Sequence, residues 1–283
     1  MVDCKSYTKL VPQAWCEVIV QPDPTLVLKD VPEDELHLCA PTVCGYSFTA
    51  KKWGRFVADQ LKPIQWEKEA FGHLVLSEEK KSLVQSIVFA NRSAIVSDVI
   101  SAKAGGFVVI LHGEPGTGKT LTAEAAAETA EKPLMVLSAG ELGGRPAEVE
   151  INLQNILEVC KVWDAILLIN EAEVYLEARS LGDIERNGMV SAFLRVLEYH
   201  QQVIFLTTNH IDRLDIAFKS RVSVAIKYPN LDHEARREIW KRFLKLSGVS
   251  ICGSKKDGET AITKRDLLQL AEMNVNGRYT LRV

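Results

Sequence analysis

The sequence predicts an α/β fold whose central sheet is mostly parallel. From residue 107 onward, short apolar runs alternate with helical patterns, a glycine-rich loop follows the first run, and polar residues follow two later runs. Short apolar runs bounded by turn residues are typical of strands buried on both faces. Strands that alternate with helices are joined by right-handed crossovers, and ligands bind at the carboxyl ends of such strands. The functional residues are therefore expected at one edge of the sheet.

The composition is typical of a globular protein and argues against nucleic acid as the main partner and against a membrane span. The chain has 283 residues, 47% of them hydrophobic and 25% charged, with a net charge of −3. Its basic runs never exceed two residues, whereas nucleic-acid binding needs a concentrated basic surface. No apolar run is long enough for a membrane span. The absence of a signal-peptide pattern and of Cys-x-x-Cys spacing favours a cytoplasmic or nuclear protein with reduced thiols.

Residues 1–62 are predicted to form an N-terminal extension that is partly β and rich in loops. Two short β-like runs lie between residues 14 and 28 and are interrupted by prolines, and a short helix is expected over 51–62. Residues 63–104 are predicted to form a helical lead-in and linker. Within it, Ser77 is expected to cap a helix that extends to about Ser93. Nothing in the extension indicates which partner it would recruit.

Residues 105–228 are predicted to form the core of the protein. The strands are expected at 107–112, 133–138, 165–170, 203–207 and 222–226, and helices near 119–131, 146–161 and 187–199 lie between them. Residues 229–283 are predicted to form a small helical lid. One of its helices is capped by Asp232, and another is opened by Thr263 and Asp266 in a capping-box pattern. Because the chain ends at Val283, the lid is expected to be truncated.

A phosphate-binding loop is predicted between the first strand and the first helix of the core. Gly113 is followed by four residues and then by Gly118, Lys119 and Thr120, which is the Walker A pattern. The glycines let backbone N–H groups approach phosphate oxygens, and the following helix directs its positive dipole end at them. Lys119 would reach the β- and γ-phosphates, and the Thr120 hydroxyl would bind Mg²⁺. The predicted nucleotide-binding residues are Gly113, Glu114, Pro115, Gly116, Thr117, Gly118, Lys119, Thr120 and Leu121.

An acidic residue follows the third predicted strand, as in a Walker B motif. The apolar run 165–169 ends in Asn170 and Glu171, and Glu171 is in position to orient or deprotonate an attacking water, a role that contributes about 10²–10⁴-fold. Asn170 stands where an Asp usually helps to hold Mg²⁺. Losing such a partner typically costs about 10–100-fold in metal affinity, so we expect nucleotide binding to survive and hydrolysis to be slowed. The alternative is that Glu171 and Glu173 only begin a solvated turn.

Two further polar residues follow or precede predicted strands. Asn209 follows the fourth strand and is either a turn residue or an amide that bonds the attacking water or the γ-phosphate. Arg221 precedes the fifth strand and is either a surface arginine or a finger that reaches a neighbour's γ-phosphate, a role worth about 10³–10⁵ in rate. Arg213 and Arg278 are weaker candidates of the same kind.

Taken together, these segments resemble the AAA+ ATPases. The resemblance rests on residues 113–120, 165–173, 187–199, 206–209 and 218–221 and extends from about residue 63 to the end. Within this family, the chain is similar to fungal AAA-domain proteins with a long N-terminal extension. It implies a P-loop NTPase three-layer sandwich with a parallel five-stranded sheet of order 5-1-4-3-2, ATP with Mg²⁺, and a ring that is usually a hexamer. It also implies that Asn209 is the sensor residue and Arg221 the arginine finger.

Three departures from the family pattern leave two hypotheses for the function. Asn170 replaces the Mg²⁺-holding Asp, the segment 140–146 has no aromatic residue where the family's first pore loop lies, and the lid is short. The first hypothesis is Mg²⁺-dependent ATP hydrolysis coupled to remodelling of an unidentified protein partner. The second is an ATP-binding assembly or switch module with little or no turnover. A nucleic-acid motor is disfavoured by the charge, and a small-molecule kinase by Asn209 and Arg221.

Overall fold

The computed structural model describes residues 41–90, 106–138, 140–178, 183–252 and 261–272. The chain divides into two compact units, residues 1–65 and 66–283. The β-like runs expected between 14 and 28, the helix end expected near Ser93, and Arg278 lie outside the described residues.

The described part of the first unit is a β-hairpin. Strands β1 (Thr42–Ser47) and β2 (Lys52–Val57) pair antiparallel, and a short 3₁₀ helix, Ala58–Gln60, follows. Tyr46 lies opposite Trp53, with ring centroids 5.3 Å apart. The expected helix over 51–62 is therefore wrong. Aromatic cross-strand pairs of this kind stabilise a hairpin, and they decide the structure of a segment whose apolar spacing also fits a helix.

The second unit begins with a 3₁₀ turn, Ala70–His73, and helix α1, Glu78–Ala90. The core then consists of β3 (Phe107–His112), α2 (Lys119–Thr129), β4 (Leu134–Leu137), α3 (Pro146–Val162), β5 (Ile166–Ile169), α4 (Glu173–Leu176), α5 (Ile184–Leu197), β6 (Val203–Thr208), α6 (Ile216–Lys219) and β7 (Val224–Lys227). Helix α5 begins three residues earlier than expected because Asp183 caps it, accepting a hydrogen bond of 3.0 Å from the Arg186 backbone N–H.

The five core strands form one parallel sheet in the order β4-β5-β6-β3-β7. Counted along the chain from β3, this is the order 5-1-4-3-2, so the predicted fold class is confirmed. The central strands β5 and β6 are buried along their whole length.

Alternate residues of the strands face opposite layers of helices. Val109, Leu111 and Phe205 belong to the core cluster that α1 and α2 help to form. On the other side, α3 and α5 pack together so closely that a Cβ atom on Gly188 would lie 2.7 Å from Pro146. At the end of the sheet where β4 and β5 begin, the buried Lys132 ammonium lies 2.8 Å from the Asp164 carboxylate.

The described C-terminal elements are helical with one small parallel strand pair. They comprise α7 (His233–Leu246), β8 (Ser250–Cys252), β9 (Ala261–Thr263) and α8 (Lys264–Glu272). Trp240, Leu244 and Leu267 form their buried cluster. The expected capping box is confirmed, because the Asp266 N–H donates to Thr263 Oγ1 and the Thr263 N–H donates to Asp266 Oδ2, each over 3.2 Å. Across the described residues, no helix is both long enough and apolar enough to cross a bilayer.

Candidate functional site

The glycine-rich loop runs from the end of β3 to the start of α2 along a path that only glycine can follow. Gly113 has a φ of 150°, and a Cβ atom on it would lie 2.5 Å from the Tyr228 carbonyl oxygen. Its N–H donates to the Thr208 carbonyl over 3.3 Å. Gly118, the residue before α2, has a φ of 97°. The left-handed region is readily open to glycine and costly for other residues, so these positions bring the loop backbone close to the sheet edge.

Lys119 connects the loop to the end of β6. The side chain is buried, and Nζ donates to the carbonyls of Gly113 and Glu114 over 2.7 and 2.8 Å and to Asn209 Oδ1 over 3.0 Å. The structure thus brings Asn209 to the loop. A phosphate oxygen carries negative charge and is a stronger acceptor for an ammonium than these neutral oxygens.

Tyr228 supports the loop from behind and was not found by sequence reasoning. Its hydroxyl donates to Thr122 Oγ1 over 2.7 Å, while its backbone lies against Gly113. Burial raises the pKa of Tyr228 to about 12. Because Tyr228 directly follows the last core strand, it fixes the loop and the first turns of α2 to the sheet. A tyrosine directly after a strand gives no functional signal in the sequence.

Asn170 and Thr120, the two residues predicted to hold Mg²⁺, lie together. Asn170 Oδ1 accepts hydrogen bonds from Thr120 Oγ1 over 3.2 Å and from Thr207 Oγ1 over 3.1 Å. Since the Thr120 hydroxyl donates its proton to Asn170, its oxygen lone pairs stay suited to Mg²⁺. No group of three or more His, Cys, Asp or Glu side chains in the described parts of the chain could hold a metal. Mg²⁺ in ATPase sites usually needs only one or two protein ligands beside phosphates and waters, so Thr120 fits this ion.

Glu171 follows Asn170 at a sharp turn of the backbone. Its φ is 55°, a left-handed value that is uncommon for a residue other than glycine. The strain is held by Thr207, whose hydroxyl accepts the Glu171 N–H over 3.2 Å and whose carbonyl accepts the Ala172 N–H over 2.9 Å. Strained residues of this kind concentrate at functional sites. The Glu171 side chain is exposed at the same sheet edge as the loop.

Arg221 lies apart from this cluster. Its guanidinium donates to the Ala217 carbonyl over 2.9 Å and lies 3.8 Å from Glu198 Oε2. The structure therefore does not bring Arg221 to the loop of its own chain. Both a surface role and a role on a neighbouring copy stay predictions.

A cavity of about 390 Å³ opens beside the loop. It lies between residues 74–77, residues 228–232 and one face of α7, and Thr117 borders it. Leu74, Leu76 and Leu231 give it apolar walls. Lys80 and Arg242 add positive charge, and Asp232 and Glu238 add negative charge. The volume is in the range of small-molecule sites. Sequence reasoning missed this cavity because its walls are some 150 residues apart along the chain.

The sequence of this region matches a known family. Residues 109–230 match the ATPase family associated with various cellular activities (AAA). The chain contains an AAA ATPase domain. The matched part of this AAA domain holds the glycine-rich loop from Gly113, the Asn170–Glu171 turn, Asn209 and Arg221.

Several curated proteins are similar to this chain. A probable mitochondrial chaperone bcs1 of Schizosaccharomyces pombe is 27% identical over 47% of the chain and 31% of its own length. The human ATPase family AAA domain-containing protein 3B is 24% identical over 59% of the chain and 26% of its own length. A putative 26S proteasome regulatory subunit homolog of Methanothermobacter thermautotrophicus is 29% identical over 50% and 41%. The chain thus spans well under half the length of these relatives.

The segment of the AAA domain where a pore loop was expected is held against its own domain. Leu142 is fully buried, and its carbonyl accepts a hydrogen bond from Asn152 Nδ2 over 3.1 Å. The Gly140 N–H donates to the Tyr175 hydroxyl over 2.7 Å. Residues 140–146 contain no aromatic side chain. Their one large aliphatic side chain, Leu142, faces the protein interior.

Proposed function

We propose that the AAA domain binds ATP and hydrolyses it in a Mg²⁺-dependent reaction coupled to remodelling of a protein partner. The observation that carries this proposal is two sets of hydrogen bonds that join the loop and the start of α2 to two neighbouring strand ends. Lys119 bonds Asn209, Thr120 bonds Asn170, and Thr207 bonds both Asn170 and the Glu171 backbone. These are the polar groups that phosphoryl transfer needs around a triphosphate. The cavity beside Thr117 is suited to the base and sugar of the nucleotide.

The chain's own residues divide the chemistry between them. Lys119 exchanges the carbonyls of Gly113 and Glu114 for phosphate oxygens, which stabilises the charge that grows during transfer. Glu171 orients the attacking water and accepts its proton. Asn209, held by Lys119, bonds the water or the γ-phosphate. Mg²⁺ bound at Thr120 would neutralise phosphate charge.

The alternative is an ATP-binding assembly or switch module with little or no turnover. It is favoured by Asn170, whose oxygen is already bonded to two hydroxyl groups. In either case we propose a ring of copies, with Arg221 acting on the neighbouring copy. The names of relatives mention a chaperone and a proteasome regulatory subunit, which supports a protein as the partner. A cytoplasmic or nuclear location stays a prediction, and imaging of the tagged protein tests it.

Steady-state phosphate release with purified protein tests the proposal. We expect slow release that Glu171→Gln lowers by about 10²-fold or more, with fluorescent-nucleotide affinity preserved, while Lys119→Ala abolishes binding. Glu158→Gln and Lys161→Ala are matched controls, because both side chains are exposed on α3 away from the loop. Asn170→Asp should raise the rate.

The outcomes separate the two candidates. If release is undetectable in the natural chain and stays so in Asn170→Asp, while nucleotide binds, the hydrolysis proposal is refuted and the switch module is retained. Sizing the protein with and without Mg-ATP measures the assembly step. If Lys119→Ala binds nucleotide as well as Lys161→Ala does, both candidates fail.

A further inference from the structure

The carbonyl oxygen of the Asn170 amide faces two hydroxyl groups. Thr120 Oγ1 and Thr207 Oγ1 both donate to Oδ1, and the Thr207 oxygen in turn accepts the Glu171 N–H. A flipped amide would instead donate from Nδ2 to both hydroxyl oxygens, and neither hydroxyl would then have Oδ1 as its acceptor. In the structure both hydroxyls donate to Oδ1, so the carbonyl oxygen faces the two threonines and Nδ2 faces away from them.

In this orientation Nδ2 is the polar atom of the side chain that faces away from the two threonines. Hydrogen bonds of the Asn170 side chain within the described residues all involve Oδ1. An aspartate held by the same two hydroxyls would present a second oxygen where Asn170 presents Nδ2. The site therefore offers a donor where a carboxylate would offer an acceptor.

A donor at this position does not suit the hydration shell of a cation. Waters bound to Mg²⁺ direct their oxygen lone pairs at the metal and can only donate, so they need acceptors around them. An N–H group instead suits a phosphate oxygen, which is a strong acceptor. The amide thus favours direct contact with the nucleotide over contact through metal-bound water.

We propose that Asn170 uncouples nucleotide binding from the divalent cation, so that this domain holds ATP almost as well without Mg²⁺ as with it. The inference rests on the proposed function, because it needs a nucleotide at the loop. Binding is reciprocal: the factor by which Mg²⁺ raises ATP affinity equals the factor by which the protein raises the affinity of ATP for Mg²⁺. An outer-shell acceptor is worth about 10–100-fold in metal affinity.

The experiment measures the affinity of a fluorescent ATP analogue in excess EDTA and in excess Mg²⁺, for the natural chain and for Asn170→Asp. We expect the ratio of the two dissociation constants to be about 10–100-fold larger in Asn170→Asp than in the natural chain. Asn155→Asp is the matched control, since it makes the same change from amide to acid at an exposed position of α3. Its ratio should equal that of the natural chain.

A second measurement needs no variant. Mn²⁺, which shares the preference of Mg²⁺ for oxygen ligands, is titrated into the ATP-loaded natural protein and followed by its paramagnetic resonance signal. We expect Mn²⁺ to bind protein-held ATP with about the affinity that it has for ATP in solution. Clearly tighter Mn²⁺ binding, or equal ratios in the natural chain and Asn170→Asp, overturns the inference while leaving the proposed function intact. Failure of the nucleotide to bind in both EDTA and Mg²⁺ overturns the proposed function itself.

Discussion

Among the residues that the structure describes, the Thr207 hydroxyl is the one side-chain group that bonds both Asn170 and Glu171, so its removal tests the site directly. It donates to Asn170 Oδ1 over 3.1 Å, accepts the Glu171 N–H over 3.2 Å, and its side chain is buried. Thr207→Val keeps the branched shape but deletes both bonds and leaves the Glu171 N–H without its acceptor. An unsatisfied polar group costs about 1–3 kcal/mol, which is the expected loss in the free energy of unfolding.

The same substitution should affect catalysis more than binding. Since Thr207 holds the strained backbone of Glu171 and contacts no residue of the glycine-rich loop in the hydrogen bonds described above, we expect kcat to fall while nucleotide affinity changes little. Urea unfolding measures the stability, and phosphate release measures kcat. Thr207→Ser restores the hydroxyl and should recover both. If Thr207→Val is as stable and as active as the natural chain, the hydroxyl does not position Glu171 and the reasoning is wrong.

Three other predictions concern Gly113, Tyr228 and Asp164, all in the second compact unit. Gly113→Ala places a Cβ atom 2.5 Å from the Tyr228 carbonyl and should abolish fluorescent-nucleotide binding by displacing the loop; normal binding would contradict this account. Burial raises the Tyr228 pKa from 10.0 to about 12, so its contribution to stability is complete below its unfolded pKa and is lost as the pH rises through these values. Tyr228→Phe should remove that part of the alkaline decline in urea unfolding. Asp164→Asn should cost only about 1 kcal/mol, because the Asp164 carboxylate is largely exposed and water screens its attraction for the buried Lys132 ammonium. A loss of several kcal/mol would show that this attraction is not screened.

The sheet and the loop could be predicted because their signals are local. Each core strand is a short apolar run, and the glycine spacing before Lys119 has few other uses. That Thr120 lies beside Asn170, and Lys119 beside Asn209, follows from parallel strands ending at one edge. The hairpin at 42–57 was missed because Trp53 and Phe56 are three residues apart, a spacing that suits a helix until the pairing partner Tyr46 is known.

The supporting residues could not be predicted because their roles depend on distant contacts. Tyr228 meets Gly113 and Thr122 across more than 100 residues of chain. Thr207 gains its role only when β5 and β6 lie side by side. Arg221 shows the opposite limit: its position in the sequence suggests an active-site role, yet within this chain it contacts Ala217 and Glu198.

The acceptors that Lys119 already has, among them the Gly113, Glu114 and Asn209 oxygens, bear on which ligands the loop can select. An incoming molecule gains only the difference between its own attraction for the ammonium and that of the Gly113, Glu114 and Asn209 oxygens. A neutral hydroxyl or amide would exchange one such oxygen for a similar one and gain almost nothing. A polyanion gains charge attraction at every exchange. We therefore expect the resting contacts of Lys119 to favour phosphates over uncharged metabolites as ligands of the loop.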